Sequence, residues 1–345
     1  MELEKYFSLA VKKQASDLHL VVGKPPILRI NGGLIAIKET AEIDRAAMEK
    51  MVFSILTTGQ KDKFLEEKDL DFSYEIKDKS RFRVNIHFEK DNVGLVARVI
   101  SSKIPTMEEI LLPQIVYDMT RSKQGLILVT GPTGCGKSTT LAAMIGLINE
   151  ERTANIVTLE DPVEFLFKSN KSIIKQRQLG TDMSSFNKAL KHVLRQDPDV
   201  IMVGEMRDLE TISATITIAE TGHLVLATLH TLNAGQTIDR IVDVFPPFQQ
   251  NQVRLQVSMS LNGIVSQQLL PKTGGGRIAA REILVNTPAI SNIIRENKIP
   301  QIKTAIQTSA DCGMITLEQD LKRLVKDKLV DKEMAEYYMQ TLPKM

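Results

Sequence analysis

The stretch Gly131-Pro-Thr-Gly-Cys-Gly-Lys137-Ser138-Thr139 has the spacing G-x-x-x-x-G-K-[ST], in which each fixed position has a mechanical reason. Gly131, Gly134 and Gly136 let backbone N–H groups turn inward around phosphates with no Cβ in the way. The loop also leads onto a helix N-terminus, which favours anions. Lys137 is placed for the β- and γ-phosphates of a nucleotide, and the Ser138 hydroxyl for the Mg²⁺ shell. Gly131, Pro132, Thr133, Gly134, Cys135, Gly136, Lys137, Ser138 and Thr139 are therefore the expected nucleotide-binding loop.

Holding phosphate is not hydrolysing it, because a carboxylate must orient and deprotonate the attacking water and another must complete the Mg²⁺ shell. Two acidic clusters follow apolar runs that read as strands: Glu160-Asp161-Pro-Val-Glu164-Phe, and Gly204-Glu205-Met-Arg207-Asp208. The second stands where an apolar strand would ordinarily end in Asp. A further strand, Leu224 to Leu229, lies between His223 and His230, two of only five histidines in the chain. A lone strand-end histidine is ordinarily a structural residue, but His230, at the carboxyl end, could instead sense the γ-phosphate or hold Glu205 by a hydrogen bond.

These groups need a scaffold that brings strand ends together. Leu126 to Thr130, Asn155 to Leu159, Val200 to Val203, Leu224 to Leu229 and roughly Ala279 to Val285 are short, largely apolar runs, the pattern of strands covered on both faces. With helices expected over Lys137 to Asn149 and Leu209 to Ala219, the latter closed by Gly222, the alternation predicts a mostly parallel sheet with right-handed crossovers. Ligands of such sheets sit at the carboxyl ends of the strands.

Upstream, the chain reads as a smaller α+β domain over residues 1–100. Leu3, Phe7, Ala10 and Val11 give a helix over 2–14, and strands are expected at 16–20, 27–30 and 34–37, with Asn31-Gly32 as a hairpin turn. Thr40 is the expected N-cap of a helix to Leu56, with a second helix over Lys61 to Lys68. Apolar alternation marks three more strands through Leu70 to Ile76, Phe82 to Phe88 and Val93 to Val99. If those apolar sets face the core, Arg81, Arg83 and Arg98 emerge together on the opposite face, where solvated arginines are the ordinary finding. A linker over 101–112 follows, centred on Pro105, with a helix expected from Met107 to Met119 despite Pro113. The remaining boundaries are a second, α/β domain over 113–286 and a strand-free helical segment over 287–345, with helices near Ile315 to Val325 and Asp331 to Tyr338.

The 345 residues include 44 basic and 42 acidic side chains, a net charge of +2, so no nucleic-acid partner is expected. Two cysteines, Cys135 and Cys312, are too few for a four-ligand zinc site and fit a reducing cytoplasm. The N-terminus lacks the basic-then-apolar pattern of a signal peptide, and no run approaches the roughly 18 apolar residues of a membrane span. Direct membrane insertion is therefore not expected.

At Gly131 to Thr139, Glu160 to Phe165, Val203 to Thr211 and Glu220 to Thr231 the sequence resembles the secretion ATPases that drive type II secretion and type IV pili. Ala15-Ser-Asp-Leu-His-Leu20, Arg81-Phe-Arg-Val-Asn85, Thr237 to Pro246 and Gly274 to Ala280 are similar to the pilus-retraction branch. The resemblance implies a PAS-like N-terminal domain, a RecA-like P-loop motor domain, a ring of six subunits and ATP with Mg²⁺. It gives Glu164 the role of water-activating base, Glu205 that of Mg²⁺ support and His230 a place near the γ-phosphate. Arg83 and Arg98 match arginines that approach the nucleotide when domains close, a contribution worth about 10³ to 10⁵ in rate in such enzymes. Its implied partners are an inner-membrane pilus platform protein and a paralogous retraction ATPase, at the cytoplasmic face of the inner membrane. Ser291 stands where the retraction branch has the arginine of its Ala-Ile-Arg motif. The alternatives are a pilus-assembly or type II secretion ATPase, which usually carries a tetracysteine zinc loop, and a nucleotide-gated accessory scaffold.

Overall fold

The apolar runs that precede the phosphate loop, the two acidic clusters and His230 each form a strand, and the computed structural model shows how they are ordered. It describes residues 2–30, 33–37, 40–77, 80–100 and 103–341. The chain divides into two units, Met1–Lys103 with Glu164–Leu166, and Ile104–Val163 with Phe167–Met345.

The first unit holds α1 (Glu2–Lys12), β1 (Asp17–Leu20), β2 (Ile27–Ile30), β3 (Gly33–Ala36), α2 (Arg45–Phe53), α3 (Thr58–Glu67), β4 (Asp69–Glu75), β5 (Arg81–Glu89) and β6 (Asn92–Ile100). Its strands form an antiparallel sheet in the order β3-β2-β1-β6-β5-β4. The expected apolar faces are buried: Phe82, Val84, Ile86, Leu95 and Ala97 are inaccessible and pack with Leu3, Phe7 and Phe64. Phe7 and Phe82 have ring centroids 4.4 Å apart. β2 and β3 pair through Ile30 and Gly33, while the expected turn residues Asn31 and Gly32 lie outside the described residues, as do Ser101 and Ser102 of the linker.

Helix starts differ from expectation because of side-chain caps. α2 begins at Arg45, not after Thr40, since Asp44 Oδ1 accepts the Ala47 N–H at 2.7 Å while the Thr40 hydroxyl bonds the Ile37 carbonyl; it ends at Phe53. α3 begins at Thr58 through a capping box of Thr57 and Gln60. In the second unit, the helix expected over 107–119 is confined to α4 (Gln114–Thr120), because Pro113 occupies its N-cap and residues 107–111 form turns.

The rest of the second unit is β7 (Gly125–Thr130), α5 (Lys137–Glu151), β8 (Asn155–Glu160), β9 (Ile173–Gln178), α6 (Phe186–Val193), β10 (Val200–Val203), α7 (Leu209–Glu220), β11 (Leu224–Leu229), α8 (Ala234–Asp243), α9 (Pro247–Ser260), β12 (Leu261–Pro271), β13 (Arg277–Val285) and the helices α10 (Pro288–Arg295), α11 (Ile302–Thr308), α12 (Leu317–Lys326) and α13 (Lys332–Thr341). The sheet order is β13-β12-β7-β11-β10-β8-β9, parallel throughout except for β13. Alternate residues of one strand enter different cores: Leu126 and Leu128 pack with α7 and α8, and Ile127 and Val129 with α5. That is why these strands read as unbroken apolar runs. The helix expected over 315–325 begins at Leu317 under a second capping box, Thr316 with Gln319.

Two strands escaped the sequence reading. β9 is a largely polar edge strand. β12 lies between β7 and β13 yet carries Gly263 and Ser266-Gln267-Gln268 in place of an apolar run.

Candidate functional site

Parallel registry decides which loops meet. Thr130 at the end of β7 pairs with Leu229 of β11, Val203 of β10 with Ala227 of β11, and Val203 also with Leu159 of β8. The four segments that follow carry the phosphate loop, His230, Glu205 and Glu160-Asp161, and they emerge side by side at the carboxyl edge of the sheet.

The phosphate loop has the backbone its glycines allow, with φ of +140° at Gly131, +78° at Gly134 and +90° at Gly136. α5 starts from Gly136 with no side-chain cap, so the first N–H groups of a 15-residue helix face the loop. Open space lies where a Cβ of Gly134 would point. This cradle suits a phosphate chain. The Lys137 ammonium is nearly buried, donates to the Gly131 and Pro132 carbonyls at 2.8 and 3.1 Å, and lies 3.3 Å from His230 Nδ1.

His230 links the two charged groups. With Lys137 protonated, Nδ1 is the acceptor and Nε2 carries the proton toward Glu205 Oε1, 3.1 Å away. Glu205 in turn meets Arg207 at 2.8 Å, and Arg207 lies 3.7 Å from Asp161. Burial by itself would raise the Glu205 carboxyl, but the hydrogen bonds from Arg207 and His230 and the charge of Arg207 outweigh it and hold the pKa below its ordinary value. The contact of His230 with Glu205 that the sequence allowed is present. Gly204 is glycine for a packing reason, because a Cβ there would lie 3.1 Å from the Leu159 carbonyl.

Among the described residues no group of three or more His, Cys, Asp or Glu side chains is disposed to hold a metal. Mg²⁺ is commonly bound through one or two protein groups plus substrate phosphates, and Ser138 at the start of α5 with Glu205 at the neighbouring strand end are groups of that kind.

Glu164 is exposed, on the segment between Val163, whose N–H donates to Gln178 at 3.3 Å, and Phe167, whose N–H donates to Gln176 at 2.9 Å. Both glutamines belong to β9. Glu160 is buried, and its Oε1 accepts from Thr158 at 2.6 Å and Gln176 at 3.1 Å. In the first unit, Arg83 and Arg98 pair directly across β5 and β6 and emerge on the face away from the core with Arg81. Arg98 donates to Asp17 Oδ1 at 2.9 Å, and Arg83 lies 3.9 Å from Asp71.

Three participants carried no assignment from sequence. Arg207 was visible in the motif, but its second partner, Asp161, follows another strand. Asp17 sits in a short strand that pairs with β6 from 81 positions away, and Gln267 lies in the unrecognised β12.

Glu282 of β13 anchors the helix that follows His230, accepting the Ala234 N–H of α8 at 2.8 Å. Burial pushes its carboxyl pKa up, only partly offset by that bond. A carboxyl raised in the fold contributes stability fully below its unfolded pKa and loses it as pH rises through the folded value. Glu282→Gln keeps an acceptor for Ala234, so it is expected to melt at or above the wild-type temperature near neutral pH. The difference should shrink as pH falls into the ordinary glutamate range, and melts across pH that show a constant offset contradict this.

Ser291 donates its hydroxyl to the Ser258 carbonyl at 2.9 Å and lies 3.0 Å from Asn286 Oδ1, tying α10 to the end of α9.

The family described as "Type II/IV secretion system protein" matches residues 2–334. The chain is 45% identical over 335 residues to the "Type IV pilus retractation ATPase PilT" of Pseudomonas aeruginosa, covering 97% of each. It is 47% identical over 312 residues to a "Twitching motility protein" of Neisseria gonorrhoeae, covering 90% of this chain and 83% of that one. A crystal structure of the pilus retraction motor PilT with bound ADP superposes with a TM-score of 0.92 at 44% identity, covering 99% and 97% of the two chains. By contrast, the type II secretion system protein E of Xanthomonas campestris matches over 48% of this chain and 27% of its own length.

Proposed function

We propose that this chain, which belongs to the type II/IV secretion system protein family, is an ATP-hydrolysing motor that powers type IV pilus retraction and hence twitching motility. The observation that carries the reading is likeness along 97% of both chains to a pilus retraction ATPase, in a chain that presents the phosphate loop at the carboxyl edge of its sheet. No helix among the described residues is long and apolar enough to cross a membrane, so an inner-membrane platform protein is the partner that would hold the motor at the cytoplasmic face. A homohexameric ring, with a paralogous retraction ATPase as a further partner, completes the proposal.

In this reading Lys137 leaves the Gly131 and Pro132 carbonyls for the β- and γ-phosphates of ATP, and the N–H groups at the start of α5 bind their oxygens. Mg²⁺, held by Ser138 and supported by Glu205, would neutralise charge on the leaving phosphate. Glu164 takes the proton of the attacking water. His230 keeps Glu205 oriented and reports the presence of the γ-phosphate through Lys137. Arg83 and Arg98 stabilise the transition state, with Asp17 fixing the direction of Arg98. Pilin subunits then return to the inner membrane as the ring cycles.

The test is steady-state ATP hydrolysis by wild type and Glu164→Gln, with the mass of each assembly measured in the same samples. A hexamer that turns over ATP, and a variant that stays hexameric but falls about 10²-fold, is the expected result for loss of a general base. Equal turnover removes Glu164 from the mechanism. An inert wild type points instead to a nucleotide-gated scaffold.

A further inference from the structure

Gln267 of β12 is 2% exposed and makes both of its side-chain contacts to the phosphate loop and its helix. Its Nε2 donates to the Cys135 carbonyl at 2.7 Å, and its Oε1 accepts from the Thr140 hydroxyl at 2.9 Å. Its backbone carbonyl closes the other end of the loop, lying 2.2 Å from where a Cβ of Gly131 would be. Its neighbour Ser266 accepts from the Thr130 hydroxyl at 2.8 Å, so two consecutive residues of β12 brace the last residue of β7, the loop and the first turn of α5.

We infer that Gln267 is a positioning residue that holds the phosphate loop in its binding shape before the nucleotide arrives. A glycine-rich loop has many conformations, and any that nucleotide must select lowers affinity by the fraction competent to bind. Fixing the loop in advance removes that loss. The amide is suited to the task because the Cys135 carbonyl needs a donor and the Thr140 hydroxyl an acceptor, and one carboxamide supplies both. A carboxylate at 267 supplies no donor to the Cys135 carbonyl and places negative charge beneath an anion site. A leucine satisfies neither partner, and buried polar groups without partners drive rearrangement. The inference rests on the nucleotide-binding reading above for its kinetic consequence, but not for its structural one.

Cys135 supplies a readout that needs no nucleotide. It is buried within the loop, and burial raises its thiol pKa, whereas Cys312 is exposed and is removed beforehand by Cys312→Ser. In that background, labelling of Cys135 by a neutral-pH thiol reagent, well below the melting temperature, measures how often the loop opens. Gln267→Leu is expected to label about tenfold faster than its parent, because opening of the loop rather than of the whole domain then limits access. Its Kd for ADP and KM for ATP should rise about tenfold, with kcat changed less. Gln267→Glu should bind nucleotide more weakly still. Thr140→Val removes one of the two bonds with little change of shape, and is expected to give intermediate values; it decides the matter if Gln267→Leu does not fold. Wild-type labelling with wild-type Kd and KM, even with a lowered melting temperature, makes Gln267 merely structural and overturns the inference. Faster labelling in a chain whose parent hydrolyses no ATP sustains it while removing the motor reading.

Discussion

Lys137→Ala is expected to lower kcat/KM for ATP by about 10³-fold, the scale of a cation withdrawn from a transferring phosphoryl group. The ammonium is held inside the loop by two of its carbonyls and His230, all within 3.3 Å, so only a short movement brings it to the phosphates. The remaining loop N–H groups still bind phosphate, so nucleotide affinity should fall less than turnover. Lys137→Arg should not rescue, because a planar guanidinium does not fit the three-way ammonium site. Removing a nearly buried charge leaves Gly131 and Pro132 carbonyls that the loop can turn to solvent, so the melting temperature of the free protein is expected to hold or rise. Turnover near the wild-type value in a nucleotide-titrated assay would remove Lys137 from the phosphate site.

Gly131→Ala is expected to abolish measurable nucleotide binding, by about 10²- to 10³-fold, through a different cause. Gly131 has φ of +140°, and an added Cβ would lie 2.2 Å from the Gln267 backbone carbonyl and 2.7 Å from Cys135 Sγ. The sulfur can rotate away, but the carbonyl belongs to a strand paired on both sides and cannot yield without unpairing β12 from β7 or β13. Backbone strain and overpacking together come to about 3 to 4 kcal/mol, enough to shift the loop out of its phosphate-binding shape. Gly134→Ala is the comparison, since it has the same sign of φ but open space around the added carbon, and should retain more binding. Isothermal titration with ADP separates the two, and equal affinities would show that the contact with β12 does not constrain the loop.

Much of the site was legible without coordinates because its chemistry is written in consecutive residues. The phosphate loop, the acidic segments after β8 and β10 and the histidine after β11 are each local patterns, and a largely apolar run before each one indicates a buried strand. The face bearing Arg81, Arg83 and Arg98 follows from the two-residue period of a strand. Helix starts were less legible, because α2 begins where Asp44, not Thr40, reaches the right N–H, and both are acceptable caps by type.

What the sequence by itself determined is therefore the set of candidate groups and the kind of sheet that presents them. Only the tertiary structure decided their adjacency. Strand order is not chain order: β7 and β8 follow one another in sequence, but β11 and β10 lie between them, and this places His230 between Lys137 and Glu205. Hydrogen bonds between strands distant in the chain leave no periodic trace in either segment, so Gln267, 132 positions from its Cys135 partner and inside a strand without an apolar run, had no local signal to be read.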